Sequence, residues 1–201
     1  MGKLSQAWED NAAAWIAWAR EPGHDSYWRF HRDQFLELVP RPSGRTLDVG
    51  CGEGRLARDL TVLGHDVAAV DASPTMLAAA REAAPDMELH LADAAELPLA
   101  DASFELVVAF MSFQDVDDLD GAIREAARVL APGGRFCLAI VHPLNSAGGW
   151  RERTAESPFV IEGSYLDEFV YTDELSPRDG LTMRFVSKHR PQQAYTEALA
   201  T

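Results

Sequence analysis

The fold is decided by residues 46–56, which read Thr46-Leu47-Asp48-Val49-Gly50-Cys51-Gly52-Glu53-Gly54-Arg55-Leu56. The apolar start of this stretch is typical of a buried β-strand. After it, the spacing of Leu56, Leu60 and Leu63 predicts a helix over residues 55–63, and Gly64 is typical of a helix end. The glycines between these two elements therefore belong to a strand-to-helix turn.

The glycines of this turn indicate a ligand site. Glycine has no Cβ and adopts positive φ, so the backbone at Gly50, Gly52 and Gly54 can approach a bound molecule closely. The helix that follows presents unpaired backbone N–H donors to the same place. A second apolar run ends at Asp71, about twenty residues on, where a carboxylate is placed to bind ribose hydroxyls. Together these features predict a nucleoside cofactor.

The position of the third glycine argues against a nicotinamide dinucleotide. The dinucleotide fingerprint has glycine at its sixth position, where the pyrophosphate approaches, whereas this chain has Arg55 there. Asp48, near the end of the first strand, adds a carboxylate that would repel a diphosphate and attract an ammonium or sulfonium group. S-adenosylmethionine carries both of these cations and is the cofactor that we predict.

The length and charge of the chain fit one acidic domain. The 201 residues correspond to a domain of ordinary size, so we expect a single domain over residues 1–201. The formal net charge is −14, Lys3 and Lys188 are the only lysines, and the arginines form no basic run. We expect no nucleic-acid partner, because such a partner requires a cationic surface.

The two cysteines, Cys51 and Cys137, indicate neither a disulfide framework nor a metal site. Cys51 lies in the glycine turn, where a small residue filling a crowded turn is the simpler interpretation and a nucleophile is the alternative. We expect no bound metal. The N-terminus lacks an apolar signal core and no run is long enough to span a membrane, so we expect a cytoplasmic protein without a membrane partner.

Strands and helices alternate through the middle of the chain. Ser73-Pro74 is typical of a helix N-cap followed by proline at the first helical position, and Asp118 is typical of a second N-cap. This alternation predicts βαβ crossovers and hence an α/β fold with a doubly wound, mostly parallel sheet. The predicted elements are strands at 66–71, 87–91, 104–110 and 135–141, helices at 73–84 and 119–130, and a turn at 132–134.

Ligands of such sheets bind beyond the carboxyl ends of the strands. Asp71, Asp93, Phe110 and His142 fall at or just after those ends, as does the glycine turn. We therefore expect these residues to face one cleft.

Four segments, in this order, resemble the class I S-adenosylmethionine-dependent methyltransferases, particularly their small-molecule branch. They are LDVGCGEGRLARDL, AVDASPTML, LADAAELPLADASFELVV and REAARVLAPGGRF, and the resemblance covers residues 45–142. It implies a Rossmann-like sheet with strand order 3-2-1-4-5. It also implies S-adenosyl-L-methionine as cofactor and S-adenosyl-L-homocysteine as product.

The resemblance further implies roles at the cofactor site. The three glycines would line the methionine part, Asp71 would bind the ribose, and Asp93 with Ala94 would meet the adenine edge. Phe110 and Met111 would close over the cofactor. The predicted cofactor-binding residues are Asp48, Gly50, Cys51, Gly52, Gly54, Asp71, Ala72, Met76, Asp93, Ala94, Phe110, Met111 and Tyr27.

The flanks of this core are expected to determine the substrate. Within the flank of residues 1–40, residues 8–36 are rich in aromatic side chains, and residues 12–19 are predicted as a helix. Members of the resembled family cover the cofactor cleft with such a segment, which predicts an N-terminal helical lid with Tyr27 near the cofactor. Ordinary core packing of the aromatics is the alternative. We predict that residues 41–142 form the cofactor-binding core.

Residues 143–201 are predicted as a substrate-side insertion. Two strand-like runs, 168–172 and 181–188, flank Ser176-Pro177-Arg178-Asp179-Gly180, which is typical of a hairpin turn. This hairpin would extend the sheet or form a second lid. A helix-like run, 192–200, ends the chain where the resembled family continues with further strands. The sequence thus predicts a truncated form with one sheet edge uncovered, as a monomer or a homodimer.

Methyl transfer needs a base only when the acceptor must lose a proton. His142, after the fifth strand, and Asp115, in the loop after the fourth, are the predicted catalytic residues, with Asp117 and Asp118 as further candidates. For His142 a structural His-Pro turn is the alternative. For the aspartates it is helix capping.

The function predicted from these features is methyl transfer to a small-molecule acceptor. An RNA or protein methyltransferase is one alternative, which would favour a basic groove or an Asn-Pro-Pro type motif after the fourth strand. Residues 110–114 read FMSFQ instead. A non-catalytic nucleotide-binding module is the other alternative, because the end of the chain departs from the family pattern.

Overall fold

A parallel β-sheet lies at the centre of the computed structural model, which describes residues 2–175 and 177–200. Its strands are β1 (Arg45–Val49), β2 (Asp66–Asp71), β3 (Glu88–Leu91), β4 (Phe104–Phe110) and β5 (Leu130–Ala139). Within the described residues they pair in the order β3-β2-β1-β4-β5, and each pair is parallel. The predicted α/β fold and strand order are confirmed.

Helices connect and flank these strands. They are α1 (Lys3–Arg20), α2 (Arg32–Leu38), α3 (Arg55–Val62), α4 (Pro74–Ala83), α5 (Leu119–Val129), α6 (Leu144–Ala147) and α7 (Gln192–Leu199). Both predicted caps form: the Ser73 hydroxyl accepts from the Met76 N–H at 3.0 Å, and the Asp118 carboxylate from the Gly121 N–H at 2.9 Å. Leu63 was predicted within α3, on one face with Leu56 and Leu60, but it is the C-cap of this helix and is 52% exposed.

The predicted turn at residues 132–134 lies inside β5. Phe104 pairs with Leu130, whereas Leu106 pairs with Arg135, so the four residues 131–134 of β5 lie opposite the single residue Glu105 of β4. Such an insertion is a bulge. The Pro-Gly-Gly sequence is typical of a turn and predicted one here, although the strand continues through it.

Two hydrophobic clusters cover the two faces of the sheet. Leu47 and Val49 of β1 belong to the cluster that includes α5, while Leu106 and Val108 of β4 belong to the cluster that includes α3. Successive residues of a strand point to opposite faces, which explains why β4 is apolar almost throughout. The central strands of the sheet are therefore buried on both sides, and the carboxyl edge of the sheet is where a ligand can enter.

The N-terminal helix is longer than predicted. The sequence predicted residues 12–19, whereas α1 covers Lys3–Arg20 and packs against α4. Its first turn is stabilised from the core, because the Asp117 carboxylate accepts hydrogen bonds from the N–H groups of Leu4 at 3.1 Å and Ser5 at 3.2 Å. A π-helical turn at Tyr27–His31 then leads into α2.

The C-terminal part forms two small antiparallel sheets apart from the central one. One pairs β6 (Gly148–Trp150) with β7 (Phe159–Ile161), and the other pairs β8 (Phe169–Glu174) with β9 (Arg184–His189). The predicted hairpin is thus present and does not extend the central sheet. Of its predicted turn, Ser176 lies outside the described residues. The final helix, α7, packs against α5.

No helix among residues 2–175 and 177–200 combines the length and the apolar character that crossing a membrane requires.

Candidate active site

A cavity of about 610 Å³ lies at the carboxyl ends of β1, β2 and β4. Two covers enclose it, namely α1 and the β8–β9 hairpin, which both contribute residues to its wall. The volume is typical of small-molecule and cofactor sites. The predicted site residues that line it are Tyr27, Asp48, Gly50, Cys51, Gly52, Asp71, Ala72, Met76, Asp93, Ala94, Phe110, Met111 and Asp115.

The glycine turn brings the backbone to the cavity wall. Gly50 and Gly52 have φ of +74° and +56°. A Cβ at Gly50 would lie 2.4 Å from the Ser112 Cβ, whereas a Cβ at Gly52 would find its nearest neighbour 3.9 Å away, at Trp15 Nε1. Gly50 is therefore required by packing, and Gly52 leaves space on the cavity side.

Gly54 was predicted to line the cofactor, but the structure places it elsewhere. It is the N-cap of α3 with φ of +83°, and a Cβ there would lie 3.1 Å from the Ala80 Cβ of α4. The third glycine thus allows α3 and α4 to approach each other, and it does not line the cavity.

Asp71 ends β2 with its carboxylate fixed by backbone donors. One oxygen accepts from the Gly52 N–H at 2.7 Å and the other from the Ser73 N–H at 2.9 Å. Burial raises the pKa of this carboxyl above its ordinary value, and these backbone hydrogen bonds oppose the rise. Each carboxylate oxygen has a second lone pair, so the group can still accept from a ribose diol. Asp71 therefore fits the predicted role.

Asp48 lies beneath the glycine turn and is fully buried. Among the described residues, its Oδ2 has no hydrogen-bond partner. Burial, reinforced by the nearby Asp71 charge, raises the pKa of Asp48 to about 7. An unpartnered buried carboxyl oxygen is costly unless a donor or a cation reaches it. The site therefore fits a positively charged ligand such as S-adenosylmethionine.

Cys51 lines the cavity but does not have the properties of a nucleophile. Its thiol is buried, and burial together with the charges of Asp71 and Asp48 raises its pKa well above the ordinary value. A thiol with a raised pKa is poorly reactive, because the thiolate is the nucleophilic form. The interpretation of Cys51 as a small residue filling the turn is the one that fits.

The ends of β3 and β4 complete the cofactor side of the cavity. Asp93 lies two residues after β3, and one of its carboxylate oxygens accepts from the Ala95 N–H at 2.9 Å. Phe110 ends β4 and contacts Tyr27, with ring centroids 5.3 Å apart. Met111 has φ of +53°, which is uncommon for a residue other than glycine. This strained conformation turns the chain at the cavity wall.

Tyr27 presents its ring to the cavity while its hydroxyl is engaged elsewhere. The hydroxyl donates to Asp59 at 2.7 Å, and Arg32 binds the same carboxylate at 2.7 Å. The ring lies 4.6 Å from the Arg55 guanidinium. Tyr27 can therefore pack against a cofactor, but its hydroxyl is not free to donate to one.

The two covers meet in a cluster of aromatic rings. Trp8 and Trp15 of α1 contact each other with centroids 5.8 Å apart. Phe185 of β9 lies 6.0 Å from Trp8 and 5.9 Å from Trp15. We call these rings the aromatic triad. All three line the cavity, so the N-terminal aromatics do more than fill the core.

Asp115 is the predicted catalytic aspartate that reaches the cavity. Its Oδ1 is buried and has no hydrogen-bond partner among the described residues, while Oδ2 accepts from the Gln114 side chain at 3.3 Å. Burial raises the pKa of Asp115 to about 7. Hydrogen bonding from Ser187 and the charge of Arg190 act in the opposite direction.

The other two aspartates of this loop are structural. Asp117 caps the first turn of α1, and Asp118 caps α5. The capping interpretation is therefore correct for these two residues and does not explain Asp115.

His142 does not line the cavity, which contradicts its predicted place in the cleft. It lies three residues beyond the end of β5 on an exposed loop, and its Nδ1 accepts from the Leu144 N–H at 3.2 Å. The His-Pro pair forms a local turn, and we do not retain His142 as a base.

Sequence analysis missed a buried ion pair in the wall. Arg55 pairs with Asp25, and its guanidinium lies 5.1 Å from the Trp15 ring. Burial lowers the pKa of Arg55 to about 10. Arg55 was not predicted because a charged residue at the start of a helix is usually exposed to solvent. Its partner Asp25 lies in a loop that is distant in sequence. No group of three or more potential ligands arranged to hold a metal ion occurs within the described part of the chain.

The strand order, the glycine turn and the carboxylate at the end of β2 define a Rossmann-like domain that binds a nucleoside cofactor. A family model described as a methyltransferase domain matches residues 47–138. A crystal structure of an S-adenosylmethionine-dependent methyltransferase from Mesorhizobium loti superposes with a TM-score of 0.68 at 27% identity, covering 88% of this chain and 80% of that one.

Two curated relatives are similar over shorter ranges. An uncharacterised methyltransferase of Mycobacterium tuberculosis is 36% identical over 164 residues, covering 81% of this chain and 62% of the relative. A demethylmenaquinone methyltransferase of Chlorobaculum parvum is 36% identical over 125 residues, covering 61% of this chain and 51% of the relative. The chain thus spans roughly half to three fifths of the length of these relatives.

Residues 47–138 therefore match a methyltransferase domain, and the chain has the fold of the class I S-adenosylmethionine-dependent methyltransferases. Its cofactor is accordingly S-adenosylmethionine, and the wall described above fits that molecule at two carboxylates. Asp48 offers an unpartnered oxygen to a cation, and Asp71 offers lone pairs to a ribose.

Proposed function

We propose that this chain transfers a methyl group from S-adenosylmethionine to a small-molecule acceptor held in the enclosed cavity. One observation carries the proposal: a buried carboxylate, Asp115, faces the same cavity as Asp48 and Asp71 beneath two covers. A cavity of this size admits a cofactor with a small acceptor, whereas a macromolecule would need an open surface. The Chlorobaculum relative is named for a small-molecule acceptor, demethylmenaquinone.

The residues of the cavity hold and orient the reactants. Asp71 binds the ribose, and Asp48 places a negative charge beneath the glycine turn. The aromatic triad excludes water from the reacting atoms, which strengthens electrostatic interactions within the cavity. When bound, the cofactor supplies an activated methyl group on its sulfonium, so positioning accounts for much of the rate.

Asp115 would accept the proton that the acceptor loses. A base is most effective when its pKa is close to the working pH, and burial raises the pKa of Asp115 to about 7. Its Oδ1 has no partner among the described residues but is buried, so the acceptor would reach it through a local shift of the surrounding side chains.

Calorimetric titration with S-adenosylmethionine, S-adenosylhomocysteine and NAD tests the cofactor assignment. The first two should bind and NAD should not. Turnover is then followed as S-adenosylhomocysteine release with small-molecule, RNA and protein acceptors, and release dependent on RNA or protein alone would contradict the proposal. Asp115→Asn should lower turnover by about 10²-fold or more with little change in cofactor affinity. His142→Ala serves as the matched control and should keep its turnover.

A further inference from the structure

The charges of the cavity wall are strongly one-sided. Within the described residues, the acidic side chains that line it are Asp25, Asp48, Glu53, Asp71, Asp93, Asp115 and Asp173, and the one lysine or arginine side chain among the lining residues is that of Arg55. Arg55 is paired with Asp25, and Glu53 is paired with Arg58 at 2.9 Å. Among the described residues, the lining therefore offers no unpaired lysine or arginine side chain to an acceptor that carries a carboxylate or phosphate, and its other basic groups are His24 and His31.

The surroundings of Asp115 form one continuous patch of the wall. Ser187 acts on the Asp115 carboxylate, and it lies two residues after Phe185 on β9, so both side chains point to the same side of the strand. Trp8 also interacts with this carboxylate and packs against Phe185. The Asp115 carboxylate thus lies beside the aromatic triad.

The positive charge nearest to this patch is already engaged. Arg190 lies behind Asp115 and donates to the backbone oxygens of Gln114 at 3.1 Å and Val116 at 2.6 Å. It is 3% exposed and does not line the cavity, so it moderates the charge of Asp115 from behind the wall.

Aromatic rings beside a carboxylate are the chemistry that recognises an organic cation. The negative faces of the rings attract the charge, and the carboxylate accepts its N–H hydrogen bonds. The same lining already holds one cation in this way, because the Arg55 guanidinium lies 5.1 Å from Trp15 and 4.6 Å from Tyr27.

We propose that the methyl acceptor is an amine that enters the cavity as an ammonium ion and binds between Asp115 and the aromatic triad. This inference rests on the proposed methyltransferase function and identifies its substrate class. Neutral alcohols lack the charge that the wall selects, and anionic acceptors would be repelled by it.

The reaction of an amine is balanced with the groups present. The Asp115 carboxylate takes one proton from the ammonium ion, which frees the nitrogen lone pair. That pair forms the new N–C bond to the methyl group, while the electron pair of the broken C–S bond remains on sulfur as a neutral thioether. The methylated nitrogen carries the positive charge, and the proton on Asp115 passes to solvent after product release.

The experiment uses the full chain saturated with S-adenosylhomocysteine and three ligands of similar skeleton: 2-phenylethylamine, 2-phenylethanol and phenylacetate. By calorimetry at pH 7.5 the amine should bind at least about tenfold more tightly than the alcohol, and phenylacetate should bind most weakly. Equal binding of amine and alcohol, or no binding of the amine, would overturn the inference. Failure of S-adenosylhomocysteine itself to bind would instead refute the proposed function.

Two variants locate the selectivity. Asp115→Asn should reduce the preference for amine over alcohol by about tenfold or more, whereas Asp86→Asn, an exposed aspartate before β3, should leave it unchanged. Trp8→Leu should weaken amine binding more than alcohol binding, and Trp8→Phe should restore part of the loss because a ring is retained. Preferences unchanged in both Asp115→Asn and Trp8→Leu would assign the amine to another part of the wall.

Discussion

The glycine turn and the two covers enclose one cavity by different physical means. At the turn, the geometry comes from the backbone: Gly52 has positive φ, and its N–H is bound by Asp71 across two adjacent strands. The covers are held by side chains distant in sequence. The Asp117 carboxylate accepts hydrogen bonds from the first turn of α1, and Phe185 of the hairpin packs against Trp8. We therefore expect that adding or removing a few atoms at the turn changes cofactor binding directly, whereas substitutions in the covers change mainly the local stability of the covers.

The largest effect is expected at Gly52. A valine there would place a branched side chain in the space that opens toward Trp15, at a φ of +56° that disfavours side chains. We expect Gly52→Val to remain folded and to lose S-adenosylmethionine binding in calorimetry. Gly133→Val is the matched control, because Gly133 also has positive φ but a Cβ there meets nothing within 4 Å. Both variants should be destabilised by about 1–2 kcal/mol, and normal binding by Gly52→Val would refute the assignment of the turn.

Asp71→Ala should weaken cofactor binding by about 1–3 kcal/mol, because the ribose hydroxyls lose a charged partner in an enclosed site. Asp66→Ala, at the exposed start of the same strand, should bind normally in the same titration. If the two variants bind equally well, Asp71 does not contact the cofactor.

The affinity for S-adenosylmethionine should rise with pH and level off above about 7. Below that value Asp48 is protonated in the free chain, because burial and the Asp71 charge raise its pKa to about 7, and a cationic ligand must first displace that proton. The same raised pKa makes the ligand-free chain lose stability as pH rises from the unfolded pKa of Asp, about 4, to about 7.

This dependence can be assigned by substitution. One linked proton corresponds to about tenfold in affinity for each pH unit below the folded pKa, measured by calorimetry from pH 5.5 to 8. Asp48→Asn should flatten the curve. Asp115 has a raised pKa in the same cavity, so Asp115→Asn should be measured alongside, and a slope that disappears only in that variant would contradict the role given to Asp48.

The smallest effects are expected from removing two helix caps, one in a cover and one in the core. Asp117→Ala uncaps α1 in a cover, and Asp118→Ala uncaps α5 in the core, each at about 1 kcal/mol. Asp118→Ala should lower the midpoint of global unfolding. Asp117→Ala should instead raise the hydrogen-exchange rate of α1 amides with a smaller change in that midpoint, because a cover can open without unfolding the sheet. Indistinguishable exchange of α1 in the two variants would mean that cover and core unfold together.

Local chemistry made the central half of the chain predictable. The ends of β2, the Ser73-Pro74 helix start and the Asp118 cap depend on residues within a few positions of each other. The glycine turn was equally predictable, because glycines indicate positive φ and the carboxylate that binds the turn, Asp71, ends the next strand along the chain. These elements follow from propensity, capping and periodicity alone.

The remaining site residues depend on contacts that sequence spacing does not show. Gly54 was predicted at the ligand because it belongs to the same glycine motif as Gly50 and Gly52. Its actual role, a close approach to Ala80, involves another helix and is not visible in the motif. His142 was placed in the cleft because the end of a strand predicts position but not the direction of a loop that follows it. Asp117 could not be distinguished from Asp115 by sequence, since its partners on α1 lie more than a hundred positions away.

The joining of the two covers by the aromatic triad bears on the order in which molecules pass through the site. The tip of the hairpin is also tied to the loop after α1, because Arg178 donates to the Gly23 oxygen at 2.8 Å. Movements of the two covers are therefore coupled, and we expect both reactants to enter through the same opening. The reactant that lies deeper against the sheet then has to arrive first and depart last, which is the kinetic pattern of a compulsory-order ternary complex.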